Sequence, residues 1–254
     1  MSGTVHVIGL GPGPDTQVTP EARAAVEAAS HFFGYTPYIA RLDLRADQVA
    51  VASDNRQELD RARAALEMAS AGKTVAVVSG GDPGVFAMAS AVCEAIDTGP
   101  EDWKGVALNL VPGVTAMLAL AAKVGAPLGT DFCTISLSDN LKPWSIIEKR
   151  LSLAAQAEFA MALYNPISRT RPWQLGRALD ILRTILPGDT MVVVGTSVGR
   201  ESENIVITTL GAVTPEDATM ASTLIICARN TRDFVQASGK RVVYALRYTP
   251  GDTT

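Results

Sequence analysis

Three glycine-rich segments, each directly after a short apolar run, are the parts of the sequence best suited to bind a ligand. They are residues 9–13 (GLGPG), 80–84 (GGDPG) and 112–116 (PGVTA). Glycine has no Cβ, so the backbone of such a segment can approach a ligand closely. Loops at the carboxyl ends of parallel strands converge on one crevice, which is the usual ligand position in an open α/β sheet. The pattern predicts that the three segments form one ligand site.

The first segment taken alone leaves three interpretations open: a dinucleotide site, a structural turn, or a site for another ligand. Its glycines follow GxGxG rather than GxGxxG, and its prolines lack the N–H that would bind a phosphate. The next helix begins only near Pro20, too far on for its N-terminus to face a pyrophosphate. The candidate second strand, 31–34, does not end in an acidic residue. These features disfavour the dinucleotide site.

Asp82 in the second segment has two interpretations. It suits the N-cap of a helix, with Pro83 at the first helical position. It also suits a contact with the charged or ribose end of a cofactor. Capping does not explain why Gly80 and Gly81 precede it at the end of a buried strand. Both interpretations therefore stay open.

Composition excludes several classes of function. The chain has 254 residues, 47% of them hydrophobic, and a net charge of −4, which disfavours nucleic acid or an anionic membrane as the partner. Two histidines and three scattered cysteines predict no metal site, disulfide framework or histidine-based triad. The N-terminus lacks the pattern of a signal peptide, and no apolar run approaches the roughly 20 residues that span a bilayer. We therefore expect a cytoplasmic protein.

Short β-branched runs alternate with alanine-rich stretches, which predicts an α/β fold with parallel strands and crossover helices. A change in composition at residues 125–131 predicts two α/β domains, 1–125 and 126–254. The last four predicted strands are joined by short connections, which predicts a mixed, partly antiparallel sheet in the second domain. The predicted strands are residues 4–8, 31–34, 74–79, 106–111, 132–137, 159–164, 191–196, 205–210, 223–228 and 242–245. The predicted helices are residues 20–29, 55–71, 112–124, 143–157 and 172–186, with one more ending near residue 96.

The three segments also carry a resemblance to a known family. VIGLGPG, SGGDPGVF and VPGVTA, in this order, are similar to the motifs of the tetrapyrrole methylases. The resemblance implies a C-methyltransferase that uses S-adenosylmethionine and releases S-adenosylhomocysteine. It also implies two α/β domains with the active site in the cleft between them, and a homodimer.

Four other segments, GYTPYI, SLSDNLKPW, LYNPISRTRPWQL and GTSVGRESENIVITTL, resemble one branch of this family. That branch methylates C17 of precorrin-3B and contracts the macrocycle to precorrin-4 in cobalamin biosynthesis. The alternatives within the family are the anaerobic counterpart, which acts on cobalt-factor III, and another tetrapyrrole methylase. The short chain, with no cysteine-rich appendage, favours the metal-free substrate. Alternatives of another class are a nucleotide-dependent oxidoreductase and a non-catalytic tetrapyrrole carrier.

The resemblance implies cofactor contacts in both halves of the chain. Asn165 occupies a position where relatives often place a methionine against the adenine. The residues implied to contact S-adenosylmethionine are Pro12, Gly80, Gly81, Asp82, Val85, Thr115, Ala116, Asn165, Val198 and Thr223.

Ring contraction moves protons, so a positioned donor or acceptor should assist it. Some family members carry an Asp shortly after the first helix, proposed as a base, and this sequence has Tyr35 there. The candidates for proton transfer are Tyr35, Ser138, Asp139 and Asn140, although Ser-Asp-Asn clusters also form turns without catalysis. The candidates for binding the substrate's carboxylates are Lys142, Arg169, Arg171 and Arg200, each of which is alternatively a solvated surface residue.

Overall fold

The computed structural model describes residues 2–54 and 57–248. The chain forms two compact units, Met1–Thr115 and Ala116–Thr254. The predicted strands and helices are present, and only their ends differ, by a few residues. The first two residues of the predicted helix 55–71 lie outside the described residues.

The first unit is built on a five-stranded sheet in the order β3-β2-β4-β1-β5, in which every pair of neighbours is parallel. The strands β4, β1 and β5 are therefore adjacent, and the three glycine segments follow them. The elements of this unit are β1 (Thr4–Gly9), α1 (Pro20–Ala28), β2 (His31–Tyr35), α2 (Thr36–Ile39), β3 (Val49–Ser53), α3 (Glu58–Ser70), β4 (Thr74–Ser79), α4 (Met88–Thr98) and β5 (Ala107–Val111).

Both faces of this sheet are covered by helices. Val7 and Val77 pack with residues of α3 and α4 on one face, whereas Ile8 and Val78 pack with α1 on the other. Because successive side chains of a strand point to opposite faces, a strand covered on both sides must be apolar throughout. This explains why β4, at the centre of the sheet, is a continuous apolar run between Thr74 and Ser79.

The start of α1 follows the prediction. The Thr19 side chain accepts a hydrogen bond from the backbone N–H of Ala22 at 3.1 Å, and Pro20 holds the first helical position. The Thr19 hydroxyl also donates to the carbonyl oxygen of Pro112 at 3.3 Å. The cap therefore ties the start of the helix to the segment after β5.

The second unit contains a five-stranded mixed sheet in the order β10-β9-β11-β8-β7 and a three-stranded sheet in the order β12-β13-β6. Residues of α6 and α7 pack into one apolar core with β8, β9 and β11. The elements are α5 (Ala116–Val124), β6 (Gly125–Ala126), β7 (Phe132–Ser136), α6 (Trp144–Gln156), β8 (Ala160–Tyr164), α7 (Gln174–Arg183), β9 (Met191–Thr196), β10 (Asn204–Thr209), β11 (Ser222–Ile226), β12 (Thr231–Val235) and β13 (Arg241–Ala245). Short 3-10 helices cover Asp15–Gln17, Glu101–Gly105 and Pro215–Asp217.

The prediction of one mixed sheet from the last four runs is right for three of them and wrong for the fourth. The strands β9, β10 and β11 pair antiparallel, and β7 pairs parallel with β8. The last run, β13, instead pairs with β12 and β6 in the separate sheet. The reason is a tight hairpin, closed by a hydrogen bond from the Gln236 N–H to the Lys240 carbonyl, which joins β13 to a strand that the sequence pattern did not indicate.

Helix α5 groups with the second unit, whereas the sequence placed the domain boundary after it. A Cβ added to Gly195 of β9 would lie 2.4 Å from Leu120 Cδ1, so α5 packs directly on that strand. The boundary at 125/126 stays a prediction. Within the described ranges, no helix has the length and apolar character needed to cross a membrane.

Candidate functional site

The three glycine loops, residues 9–13, 80–84 and 112–116, meet through their backbones. Gly11 and Gly81 exchange two hydrogen bonds, at 3.1 and 2.9 Å. A Cβ added to Gly9 would lie 2.6 Å from the Gly81 carbonyl oxygen, and one added to Gly113 would lie 2.3 Å from that oxygen. These glycines are required because main chain lies where a side chain would be. The predicted convergence of the loops is confirmed.

The bridge between the first two loops also depends on an unusual backbone conformation. Gly11 and Gly81 have φ angles of +67° and +69°. Glycine adopts this left-handed region at little cost, whereas other residues are strained there. Pro12, which follows directly, is buried. The loop geometry is thus specified by glycine and proline together.

Asp82 ties the second loop to the third. Its Oδ1 accepts a hydrogen bond from the N–H of Gly84 at 2.8 Å, and its Oδ2 accepts one from the N–H of Gly113 at 3.0 Å. The predicted N-cap role is wrong, because α4 begins only at Met88 and is preceded by Ala87 without a side-chain cap. The carboxylate forms a turn with the second residue after it, and the chain continues as turns until the helix begins.

Arg41 is a residue of this site that the sequence did not indicate. Its Nη1 donates to the carbonyl oxygen of Gly11 at 2.9 Å, and its Nη2 donates to those of Leu10 at 2.6 Å and Gly13 at 3.1 Å. Every residue has a carbonyl group, so no motif marks these acceptors. The guanidinium therefore holds the first glycine loop from within the same unit.

Tyr35 lies at the end of β2, beside the second loop. Its ring makes an edge-to-face contact with that of Tyr38, with centroids 5.6 Å apart. A Cβ added to Gly80 would lie 2.6 Å from Tyr38 Cε1, so this ring packs against the loop backbone. Tyr35 therefore belongs to an aromatic pair with Tyr38. Val85 is part of the turn after Asp82, and its N–H is bonded to the Asp82 carbonyl at 3.3 Å.

In the second unit, the residues proposed for the cofactor gather at one edge of the mixed sheet. The strand β11 is antiparallel to β8 and β9, so it begins at the edge where they end. Asn165 follows β8 and Val198 follows β9. Thr223 is the second residue of β11 and is paired with Gly195. The sheet topology therefore brings Asn165, Val198 and Thr223 to the same edge.

Asn165 is held in a specific conformation. Its φ is +52°, and its Nδ2 donates to Ser136 Oγ at 2.9 Å. Arg171 is 7% exposed and donates from Nη1 to the Asn165 carbonyl oxygen at 3.0 Å. The neighbouring Tyr164 hydroxyl accepts a hydrogen bond from the N–H of Met117, in the first turn of α5, at 2.9 Å. The end of β8 is thus fixed to α5 through Tyr164, and the loop after it is fixed to β7 through Asn165.

The Ser-Asp-Asn cluster connects β7 to two helices. Both carboxylate oxygens of Asp139 lie within hydrogen-bond distance, 3.0 and 3.2 Å, of the Gln174 side-chain amide nitrogen. The carbonyl oxygen of Ser138 accepts from Lys142 Nζ at 3.0 Å, and Asn140 is exposed. These contacts are those of a structured turn, and a role in proton transfer stays a prediction.

Two of the four basic candidates lie close to each other. Burial lowers the pKa of Lys142, the charges of Arg150 and Arg171 lower it further, and the carboxylate of Asp139 opposes them. Arg169 is exposed in the turn closed by Ser168 and Arg171. Arg200 is exposed after β9, two strands from β8 in the sheet order. Lys142 and Arg171 therefore form the compact part of the predicted set.

The region also contains an aromatic pair that the sequence interpretation missed. The rings of Trp144 and Trp173 are 4.8 Å apart at an interplanar angle of 73°, and Trp173 is 49% exposed. In the chain as far as the structure describes it, no group of three or more His, Cys, Asp or Glu side chains is arranged to hold a metal ion.

Comparisons of the sequence and the fold with known proteins identify one family of enzymes. Residues 4–214 match the family model of Tetrapyrrole (Corrin/Porphyrin) Methylases. The chain is 57% identical to "Precorrin-3B C(17)-methyltransferase" of Sinorhizobium sp, over 99% of both chains. It is 41% identical to "Probable cobalt-factor III C(17)-methyltransferase" of Salmonella typhimurium, over 89% of this chain and 93% of that one. The crystal structure of the methyltransferase CobJ superimposes with a TM-score of 0.92 at 48% identity, over 96% of this chain and 100% of that one.

Proposed function

The chain belongs to the tetrapyrrole (corrin/porphyrin) methylases, and from this premise we propose that it transfers a methyl group from S-adenosylmethionine to C17 of precorrin-3B. The macrocycle contracts in the same reaction and gives precorrin-4, in cobalamin biosynthesis. The observation that carries the proposal is the 57% identity, over 99% of both chains, to the relative named for that reaction.

The three glycine loops support S-adenosylmethionine as the cofactor. No lysine or arginine stands at residues 9–13, 80–84 or 112–116, and Asp82 is the one charged residue among them. Such loops suit a ligand that carries a positive sulfonium better than one that carries phosphates. When bound, the cofactor supplies a methyl group already activated for transfer.

The proposed cofactor contacts in the first unit are made by buried or half-buried backbone. Their geometry is held by the protein's own hydrogen bonds, those of the Gly11–Gly81 bridge and of Asp82. A loop that the protein itself holds in place loses less conformational entropy when a ligand binds. The residues proposed to hold the cofactor are Pro12, Gly80, Gly81, Asp82, Val85, Thr115 and Ala116, together with Asn165, Val198 and Thr223.

The protein's task in methyl transfer is to position the reacting atoms and exclude water, because the sulfonium needs no further activation. Ring contraction also requires proton movement. Tyr35, Ser138, Asp139 and Asn140 are proposed for it. Among them Asp139 already bonds to Gln174, which orients its carboxylate.

The substrate carries acetate and propionate groups, which suit basic side chains. Lys142 and Arg171 are proposed as the main carboxylate contacts, with Arg169 and Arg200 at exposed positions. The pKa of Lys142 is lowered because its ammonium group is partly buried and lies near other positive charges. An anion bound there would relieve that repulsion. We also propose that the protein is a homodimer, on the strength of the family resemblance.

The test is incubation of the purified protein with precorrin-3B and isotopically labelled S-adenosylmethionine, followed by mass spectrometry and NMR of the product. The proposal expects one added methyl at C17 and a contracted ring. A product methylated at another carbon would refute the assignment to C17 but would leave the family membership intact.

The second candidate substrate is cobalt-factor III, favoured by the 41% identity to the Salmonella typhimurium relative. Parallel reactions with the two substrates, compared by kcat/KM, distinguish them. Calorimetric titration with S-adenosylhomocysteine and NADH addresses the oxidoreductase alternative, which requires tight NADH binding. Bound pigment without turnover would indicate a tetrapyrrole carrier.

A further inference from the structure

We propose that Arg41 is a positioning residue that sets the conformation of the first glycine loop and thereby the affinity for the methyl donor. The inference rests on the proposed function, because it assumes that this loop binds S-adenosylmethionine. It adds a residue outside the glycine motifs to the machinery of the cofactor site.

The contacts of Arg41 account for most carbonyl groups of the loop. A single guanidinium donates to the carbonyl oxygens of Leu10, Gly11 and Gly13. Hydrogen bonds from a charged donor are about twice as strong as neutral ones, and the guanidinium presents its N–H groups in a rigid fork. Three converging carbonyl dipoles repel each other unless such a donor lies among them.

Two N–H groups of the first loop bond to carbonyl groups outside it. The N–H of Leu10 is bonded to the Ser79 carbonyl at 2.9 Å, and that of Gly11 to the Gly81 carbonyl at 3.1 Å. Pro12 has no N–H to contribute. The end of β4 and Gly81 therefore hold the N–H groups at the start of the first loop. Arg41 bonds to three of the loop's carbonyl groups, and Gly81 shares that of Gly11.

The position of Arg41 couples the two loops through one short helix. Arg41 directly follows α2 and its C-cap, and its N–H is bonded to the Tyr38 carbonyl at 3.1 Å. The ring of the same Tyr38 packs against Gly80 of the second loop. The segment of α2 and Arg41 thus contacts the first loop through the guanidinium and the second through the Tyr38 ring. We therefore expect a change at Arg41 to alter the spacing of the loops.

Arg183 provides a matched control. It donates from Nε to the Leu210 carbonyl at 3.0 Å and from Nη2 to the Val213 carbonyl. These acceptors follow β10, which is antiparallel to β9, so they lie at the sheet edge opposite to the end of β9. Arg183 therefore has the same chemistry, an arginine on loop carbonyls, without contact to any residue proposed for the cofactor.

The experiment compares wild type, Arg41→Met, Arg41→Lys and Arg183→Met. Affinity for S-adenosylhomocysteine is measured by calorimetry, KM for the methyl donor and kcat by steady-state kinetics, and stability by thermal unfolding. We expect Arg41→Met to weaken binding and raise KM by about tenfold or more, with a smaller change in kcat at saturating donor. Arg41→Lys should recover part of the affinity, because an ammonium group replaces the charge but not the fork.

Arg183→Met should lose stability without losing affinity. Unchanged affinity in Arg41→Met overturns the inference, as does a loss of affinity that Arg183→Met shares. If Arg41→Met does not fold, Arg41→Gln takes its place, and wild-type affinity in both Arg41→Gln and Arg41→Lys overturns the inference. Failure of the wild type itself to bind S-adenosylhomocysteine would instead refute the proposed function.

Discussion

The carboxylate of Asp82 joins two loops by accepting a hydrogen bond from the backbone N–H of Gly113 at 3.0 Å. Its other oxygen accepts from Gly84 within its own loop, at 2.8 Å. One side chain therefore fixes the second glycine loop and its distance from the third. This arrangement makes Asp82 a structural member of the site whether or not it contacts the cofactor.

Replacing Asp82 should weaken cofactor binding in a graded way. Asp82→Asn keeps one acceptor and turns an NH₂ group toward a backbone N–H, and Asp82→Ala removes both acceptors. A hydrogen bond to a charged group contributes about 1.5–3 kcal/mol, so affinity for S-adenosylhomocysteine should fall from Asp to Asn to Ala. Calorimetric titration measures it.

The control for Asp82 is Asp217→Asn, because the Asp217 carboxylate also accepts from a backbone N–H, that of Thr214, at 2.8 Å. This contact lies in the second unit, at the Pro215–Asp217 3-10 helix. Asp217→Asn should cost stability and leave affinity unchanged. Equal affinity in wild type and Asp82→Ala would contradict the role of Asp82.

Gly113→Ala should disrupt the junction of the three loops. The new Cβ would lie 2.3 Å from the Gly81 carbonyl oxygen, so main chain must move. Overpacking of this kind costs about 1–3 kcal/mol, and we expect a lower Tm together with a large loss of affinity. Gly188→Ala is the matched control, because a Cβ at Gly188 meets nothing within 4 Å. A Gly113→Ala variant that binds as wild type would show that the close contact is not needed.

Tyr164→Phe should destabilise the start of α5. The hydroxyl accepts the Met117 N–H at 2.9 Å, and N–H groups in the first turn of a helix have no partner within the helix. Loss of the acceptor should cost about 1 kcal/mol of unfolding free energy, measured by denaturant titration. Tyr244→Phe, whose ring packs on Phe234 in the three-stranded sheet, is the comparison and should change little. Equal stability of the two variants would argue against the capping role.

Lys142 should make substrate binding sensitive to pH. Burial and nearby positive charges lower its pKa from 10.5, so it loses its proton at a lower pH than an ordinary lysine. KM for the tetrapyrrole should therefore rise as pH increases through the lowered pKa. Lys142→Arg keeps the charge and should flatten this part of the pH profile. A wild-type profile identical to that of Lys142→Arg would exclude Lys142 from substrate binding.

The lowered pKa of Lys142 should affect stability in the opposite direction: raising the pH weakens substrate binding but stabilises the fold. Because the folded protein disfavours the protonated Lys142, its charge opposes folding at neutral pH. This penalty decreases as pH rises through the lowered pKa towards 10.5. Lys142→Met should raise Tm at neutral pH and lose that advantage at high pH. A Tm difference that does not change with pH would contradict this account.

Most strands and helices, and the glycine loops, were predictable because their signals are local. The short elements α2, β3, β6 and β12 were not predicted. A short continuous apolar run identifies a buried strand such as β4. A threonine before a proline identifies the start of α1. The convergence of the loops also followed from the sequence, since parallel strands end at one edge. The partner of β13 was not predictable, because a hairpin with the polar strand β12 decided it.

By itself, the sequence determined the fold class and the positions of the glycine loops, because residue type sets backbone conformation and apolar periodicity. The family was indicated separately, by the resemblance of its motifs. Only the tertiary structure decided what Asp82 and Arg41 do. Asp82 bonds to the N–H of Gly113, and Arg41 bonds to three carbonyl groups. Apart from the missing N–H of proline, backbone donors and acceptors are the same in every residue, so their partners depend on which loops the folded chain brings together.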